Sequence, residues 1–174
     1  MRRERRIAVS VLIIILIVLW VRILLGEYHS QPIMSRMETP YYVVYYASRF
    51  DTLLVPEFHE GEGSVSQLLV DLIEEPRLPE LISPLPPGVE VLGFEQQGDV
   101  LYVNFSHHLV TEHPGGSSGE MITVYSIVNT LVGAPGVERV QILVEGHLLE
   151  TLVGHLYIGE PLQKDHFIMG SLLI

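Results

Sequence analysis

The chain has 174 residues, room for one compact domain and an appendage, and its lack of cysteine excludes disulfides, thiolate catalysis and cysteine-ligated zinc or iron–sulfur centres. Charge is divided unevenly: the first 25 residues carry five arginines against Glu4, a net of +4, and the other 149 carry five basic against 20 acidic residues, a net of −15. A body this acidic repels phosphate, which disfavours DNA, RNA and anionic lipid as its partners.

The basic tip, residues 1–6 ("MRRERR"), precedes an apolar run from Ile7 to Leu25 with no polar face. As a helix that run rises roughly 28 Å, close to the ~30 Å hydrocarbon core of a bilayer. Arg22 lies near its far end, where it can snorkel, and Trp20 suits the interface. The arginines place the N-terminus in the cytoplasm and the rest outside the cell membrane, as a single-pass protein. A cleaved signal peptide is the rival reading, but "RILLGEYHSQP" lacks a small-x-small site, so an uncleaved anchor is expected. Residues 26–39 read as a linker.

From Pro40 the pattern changes. Tyr41–Ala47 ("YYVVYYA") is rich in β-branched and aromatic residues, and Asp51–Phe58 reads as its hairpin return, with Pro56 confining the second strand to an edge or bulge. Ser64, with Gln67 three residues on, opens a helix whose stripe is Val65, Leu68, Leu69, Leu72 and Ile73, and Pro76 ends it. The five prolines from Pro76 to Pro87 read as a stiff connector. Val89–Ser106 forms a hairpin about Gly98–Asp99, with Leu101, Val103 and Phe105 on one face. A second helix starts at Ser117, and a last hairpin alternates through Val140, Ile142 and Val144 to a turn at Glu145–Gly146. The order β-β-α-β-β-α-β-β predicts an α+β fold: a mainly antiparallel sheet with both helices on one face. About 120 residues suffice to fold without disulfide or metal.

The stretch His113–Leu131, "HPGGSSGEMITVYSIVNTL", admits a chemical and a structural reading. Glycines before a helix can present free N–H groups to an anion, but "GGSSGE" has neither the lysine nor the spacing of a P-loop, and Glu120 would repel phosphate. A nucleophilic Ser117 or Ser118 needs a histidine held by a carboxylate, and His107, His108 and His113 are only neighbours in sequence. The structural reading covers every residue: Gly115 and Gly116 turn the chain, Ser117 caps the helix, and Glu120 reaches back to the Ser117 N–H. Asn129 and Thr130 are then expected to bond a neighbouring strand, and Gly133–Gly136 stops the helix.

His107, His108, His113 and Glu112 could bind zinc weakly, but lack H-E-x-x-H spacing and read as exposed loop residues. His147 reads as exposed, and His155 as bonded to backbone. Glu74–Glu75 lies off the apolar stripe, and no carboxylate pair has an apolar frame suited to general acid catalysis. No metal, cofactor or catalytic residue is expected.

The blocks "ISPLPPGVEVLGFEQQGDVLYVNFS", "HPGGSSGEMITVYSIVNTLVGAPGVERVQILVEG" and "ETLVGHLYIGEPL" closely resemble the GerMN domain of bacterial sporulation and spore-germination proteins. The resemblance covers about Tyr41 to Leu162 and places the domain at 40–163, with 164–174 as a tail. It implies a fold similar to ring-building motifs and no catalytic residues. The matching positions are Pro86 and Gly88, then Gly115, Gly116, Ser117 and Glu120, then Asn129, Thr130 and Leu131, and Gly146. The expected function is that of a membrane-anchored, extracytoplasmic, non-catalytic assembly module. It would bind other envelope or sporulation proteins, or a second copy of itself. The alternative is a peptidoglycan-binding module, with an aromatic groove drawn from Tyr41, Tyr42, Tyr45 and Tyr46.

Overall fold

Strand β1 (Tyr41–Ser48) lies at the centre of a three-stranded sheet, which is why its residues are apolar or aromatic on both faces. Asp51 turns the chain by accepting the Leu53 N–H at 3.1 Å, and β2 (Leu54–Glu60) returns antiparallel with Tyr45 opposite Pro56. The other neighbour, β3 (Leu81–Ile82), comes from the proline-rich segment and completes the order β2-β1-β3. The computed structural model describes residues 13–21 and 40–169, in two units divided between Glu38 and Thr39.

In the first unit, residues 13–21 are helical (α1), a run of exposed apolar side chains. No helix among the described residues is long and apolar enough to cross a membrane. The rest of the expected Ile7–Leu25 span, the basic tip and the linker to residue 39 lie outside the described residues.

In the second unit, helix α2 (Val65–Ile73) starts where the spacing predicts. Ser64 Oγ accepts the Gln67 N–H at 3.3 Å, and Leu68, Leu69 and Leu72 are buried. The second sheet has the order β4-β5-β6-β7, from β4 (Val91–Gln97), β5 (Val100–Phe105), β6 (Arg139–Val144) and β7 (His147–Leu148). Between β5 and β6 run a short helix, α3 (His108–Thr111), and the long α4 (Ser117–Leu131).

Two features depart from the expected single antiparallel sheet. The strands form two sheets, and β5 pairs with β6 in parallel, Leu101 opposite Val140. The α4 connection is long enough to carry the chain back to the same end of the sheet, which a parallel neighbour requires. Alternation reports which face of a strand is covered, and says nothing of which strand lies beside it. Likewise β3 is two residues long, too short to show a period.

Helix α4 explains the core. Val124, Ile127, Val128 and Leu131 are fully buried, and they pack among Val44 and Tyr46 of β1, Leu68 and Leu72 of α2, and Leu101, Val103, Phe105, Val140 and Ile142 of the second sheet. With neighbours on several sides, α4 also buries Glu120, Thr123, Ser126, Asn129 and Thr130. Its apolar stripe is therefore less clean than that of α2. The domain also runs past the expected end at 163. Leu54 N–H donates to Ile168 O at 2.8 Å, Ile168 is buried against Tyr45 and Leu54, and Lys164 Nζ donates to the Tyr45 hydroxyl at 2.9 Å. Residues 170–174 lie outside the described residues.

Candidate functional site

The glycine stretch resolves into a structural joint. Gly115 (φ 84°) and Gly116 (φ 83°) take left-handed conformations that L side chains rarely adopt, and Gly116, not Ser117, is the N-cap. Ser117 is the first helical residue, is exposed and makes no capping bond. The expected capping box is thus absent because Glu120 faces inward. Its Oε1 accepts the N–H groups of Leu152 (2.8 Å) and Val153 (3.0 Å), and its Oε2 that of His155 (2.8 Å). Burial pushes the Glu120 carboxyl up, but the donors of Val153, His155, Leu152 and Leu156 outweigh it and leave the pKa below the ordinary value. Glu120 therefore ties the start of α4 to the loop after β7.

The other matched residues also act within the fold. Thr130 Oγ1 accepts the Tyr45 N–H of β1 at 2.9 Å, the strand bond expected of it. Asn129 pairs with the backbone of Asp165, donating to its carbonyl at 2.8 Å and accepting its N–H at 2.9 Å. Glu145 (φ 51°) and Gly146 (φ 77°) form the two-residue turn between β6 and β7, where both central positions require left-handed backbone. Glu145 is held there by the His107 N–H, which donates to its carboxylate at 2.8 Å, and Gly146 N–H donates to Asn104 Oδ1 at 2.7 Å.

The histidines of the expected loop do not meet the serines. His113 Nδ1 accepts the Gly115 N–H at 2.9 Å and its Nε2 lies 3.1 Å from Thr123 Oγ1, whose hydroxyl donates to Pro84 O. That network assigns His113 the neutral Nε2–H tautomer, and burial holds its pKa below the ordinary histidine value. His107 lies beside Glu145 and His108 beside Ser106. Among the described residues no group of three or more His, Asp or Glu is arranged to hold a metal.

The strongest concentration of ionisable groups lies elsewhere. Glu57 and His59 of β2 and Asp71 of α2 are each at most 4% exposed. His59 Nε2 is 2.8 Å from Glu57 Oε1, and His59 Nδ1 is 3.2 Å from Asp71 Oδ2, without hydrogen-bond alignment. Glu57 Oε2 accepts the N–H groups of Arg77 and Leu78, both at 3.0 Å. Asp71 accepts the Tyr42 hydroxyl and Gln67 Nε2, and its carbonyl accepts the Tyr46 hydroxyl at 2.5 Å. Burial, then Asp71, pushes the Tyr42 phenol up to about 12, and burial likewise raises that of Tyr46, so both stay protonated donors. The cluster binds β1, β2, α2 and the 77–78 turn together.

Sequence reasoning missed this cluster because the alternation in β2 sets Leu54, Pro56 and Phe58 against Glu57 and His59, yet Phe58 is exposed and Glu57 and His59 are buried. A groove of about 390 Å³ passes over Tyr42, lined by Glu60, Gly61, Glu62, Gly63, Ser64, Gln67 and Arg77. A Cβ on Gly63 (φ 64°) would stand 2.5 Å from Tyr42 Cβ, so glycine is required there. The groove reaches Tyr42, which shields the histidine: His59 is only 3% exposed. Packed this way, the cluster's charges can hold elements in place but have no open side for a substrate atom.

Comparison with known proteins adds to the geometry. The family model for Germane, described as sporulation and spore germination, matches residues 42–150. Among solved structures, the tandem GerMN domains of the sporulation protein GerM from Bacillus subtilis align with a TM-score of 0.60 at 18% identity, covering 72% of this chain and 46% of that one. The first GerMN domain of the same protein aligns at 0.55 and 16% identity, covering 73% and 96%. A Clostridium perfringens protein described as a candidate lipoprotein aligns at 0.54 and 21%, covering 72% and 87%. At such identities the likeness is one of fold. The search of curated proteins gave no match.

Proposed function

The chain belongs to the Germane family of sporulation and spore germination domains, and from that premise we propose that it is a membrane-anchored, extracytoplasmic assembly module that acts by docking other envelope proteins, without catalysis. The observation that carries this reading is the enclosure of the interior polar groups. Glu120 accepts three backbone N–H bonds, and Glu57, His59 and Asp71 are turned toward one another. What the domain offers a partner is its surface. The anchor in this reading is Ile7–Leu25, since the sequence has no cysteine to carry a lipid. Tethering confines copies to two dimensions and lets weak contacts suffice. The wall-binding alternative loses most of its groove, because Tyr42, Tyr45 and Tyr46 are buried and only Tyr41 is exposed.

Fractionation and chemical crosslinking of the full chain in sporulating cells test this reading. Sedimentation with membranes, digestion of the domain by protease added outside, and crosslinks to envelope proteins are expected. Recovery of the intact chain from the cytosol, or retention of the protein on purified peptidoglycan in high salt without protein crosslinks, would overturn it.

A further inference from the structure

The ends of the two sheets differ in what they leave free. The β2 edge is obstructed: the Leu54 N–H is taken by Ile168 O, and Pro56 has no N–H to offer. Strands β3 and β7 are two residues long. Strand β4 is seven residues long, and among the described residues only β5 pairs with it. Gln97 and Val100 flank a two-residue turn, so they form a hydrogen-bonded pair and the pairs alternate from there. Phe94, opposite Val103, and Gln96, opposite Leu101, therefore turn their backbone N–H and C=O groups away from β5, outward.

Side chains beside that free edge are apolar and acidic. Leu92 (47%) and Phe94 (48%) are exposed. The charged residues on the strand and its flank are Glu90 and Glu95, both exposed. At the turn, Asp99 is paired with Arg139 at 3.0 Å, and Glu138 is a further exposed carboxylate. Natural edges are commonly blunted by lysine or proline, and β4 has neither, only a bulge between Val91 and Gly93.

We infer that the outer edge of β4 is a docking site for an extended, lysine- or arginine-bearing segment of a partner protein, which adds to the sheet as a further strand. Phe94 and Gln96 supply the backbone bonds, Leu92 and Phe94 the apolar contact, and Glu90 and Glu95 the choice of a basic partner. A second copy of this chain is disfavoured, because antiparallel pairing of two β4 strands brings the same glutamates together. This assignment rests on the docking reading above and specifies its surface.

The test uses isotopically labelled full chain in detergent micelles, titrated with a blocked decapeptide of alternating lysine and valine, with a glutamate–valine decapeptide as counterpart. The lysine peptide is expected to slow amide exchange at Phe94 and Gln96 by about tenfold or more, an effect lost as salt shortens the Debye length below ~10 Å. Phe94→Lys and Glu95→Lys, with the remaining amide signals unchanged, should each abolish the slowing. No slowing, equal slowing by both peptides, slowing at Phe58 and Glu60 instead, or slowing that grows with protein concentration alone would overturn it. If the peptide fails while crosslinks to envelope proteins persist, only this surface assignment falls; if both fail, the docking reading falls with it.

Discussion

Two buried acidic sites hold this domain by different means. Glu120 is neutralised by backbone: N–H groups of one loop converge on it, so a single local segment satisfies the charge. Glu57 and Asp71 are satisfied by parts brought from far along the chain: a histidine between them, tyrosine and glutamine side chains, and the 77–78 backbone. The first site fastens a loop to a helix end. The second fastens two strands to a helix, and its loss should cost the whole domain more.

The largest effect is therefore expected from His59→Ala, which leaves Glu57 Oε1 without its side-chain partner and opens a cavity between two buried carboxyl groups. Truncating a packed ring to alanine in the core costs about 3–5 kcal/mol, the stranded hydrogen-bond partner included, and urea unfolding should show a matching drop in midpoint. A loss no larger than that of an average surface change would abolish the contrast between the sites. Glu120→Ala comes next, at about 2–3 kcal/mol, since it strands three backbone donors and removes one set of charge-assisted bonds. Here the loss should be local first: amides of 152–155 should exchange far faster while β1 and β2 keep their protection.

Acid should separate the sites further. Glu120 has a pKa held below its unfolded value, so its contribution is complete above the ordinary glutamate range near ~4.3 and is lost as pH falls through the folded-state value. Glu120→Gln should flatten the stability–pH curve in that acid window relative to the parent protein. An unchanged slope would mean that the backbone cage does not favour the ionised form. The smallest effects test the caps. Ser64→Ala removes a real cap bond and should cost about 1 kcal/mol, whereas Ser117→Ala, which removes none, should stay within ~0.5 kcal/mol.

That last pair shows what was legible in the chain. Ser64 with Gln67, the turn at Glu145–Gly146 and the alternation through Leu101, Val103 and Phe105 are local signals, set by residues that touch across a few positions, and the structure keeps them. Ser117 with Glu120 has the same spacing as a capping box, yet Glu120 turned to a loop more than thirty residues on, because three aligned donors there outbid one at its own helix end. Parallel pairing of β5 with β6 was hidden for a related reason: sheet order is a long-range choice. Glu57, His59 and Asp71 were hidden differently. Each looks like an ordinary polar residue until β1, β2 and α2 are brought together, and the apolar Phe58 between Glu57 and His59 points to the opposite face as the buried one. Asn129 and the tail from Lys164 were likewise separate in sequence and joined in space.

The central claim is that these interior charges maintain a shape and take no part in a reaction. Asp71→Asn, expressed as the full chain in sporulating cells, tests it when its folded fraction and its support of spore formation and germination are measured at the same temperatures. The account predicts that function follows the folded fraction and returns to the parental level on cooling to where the domain is fully folded. A protein that is fully folded, membrane-bound and still without function would contradict it.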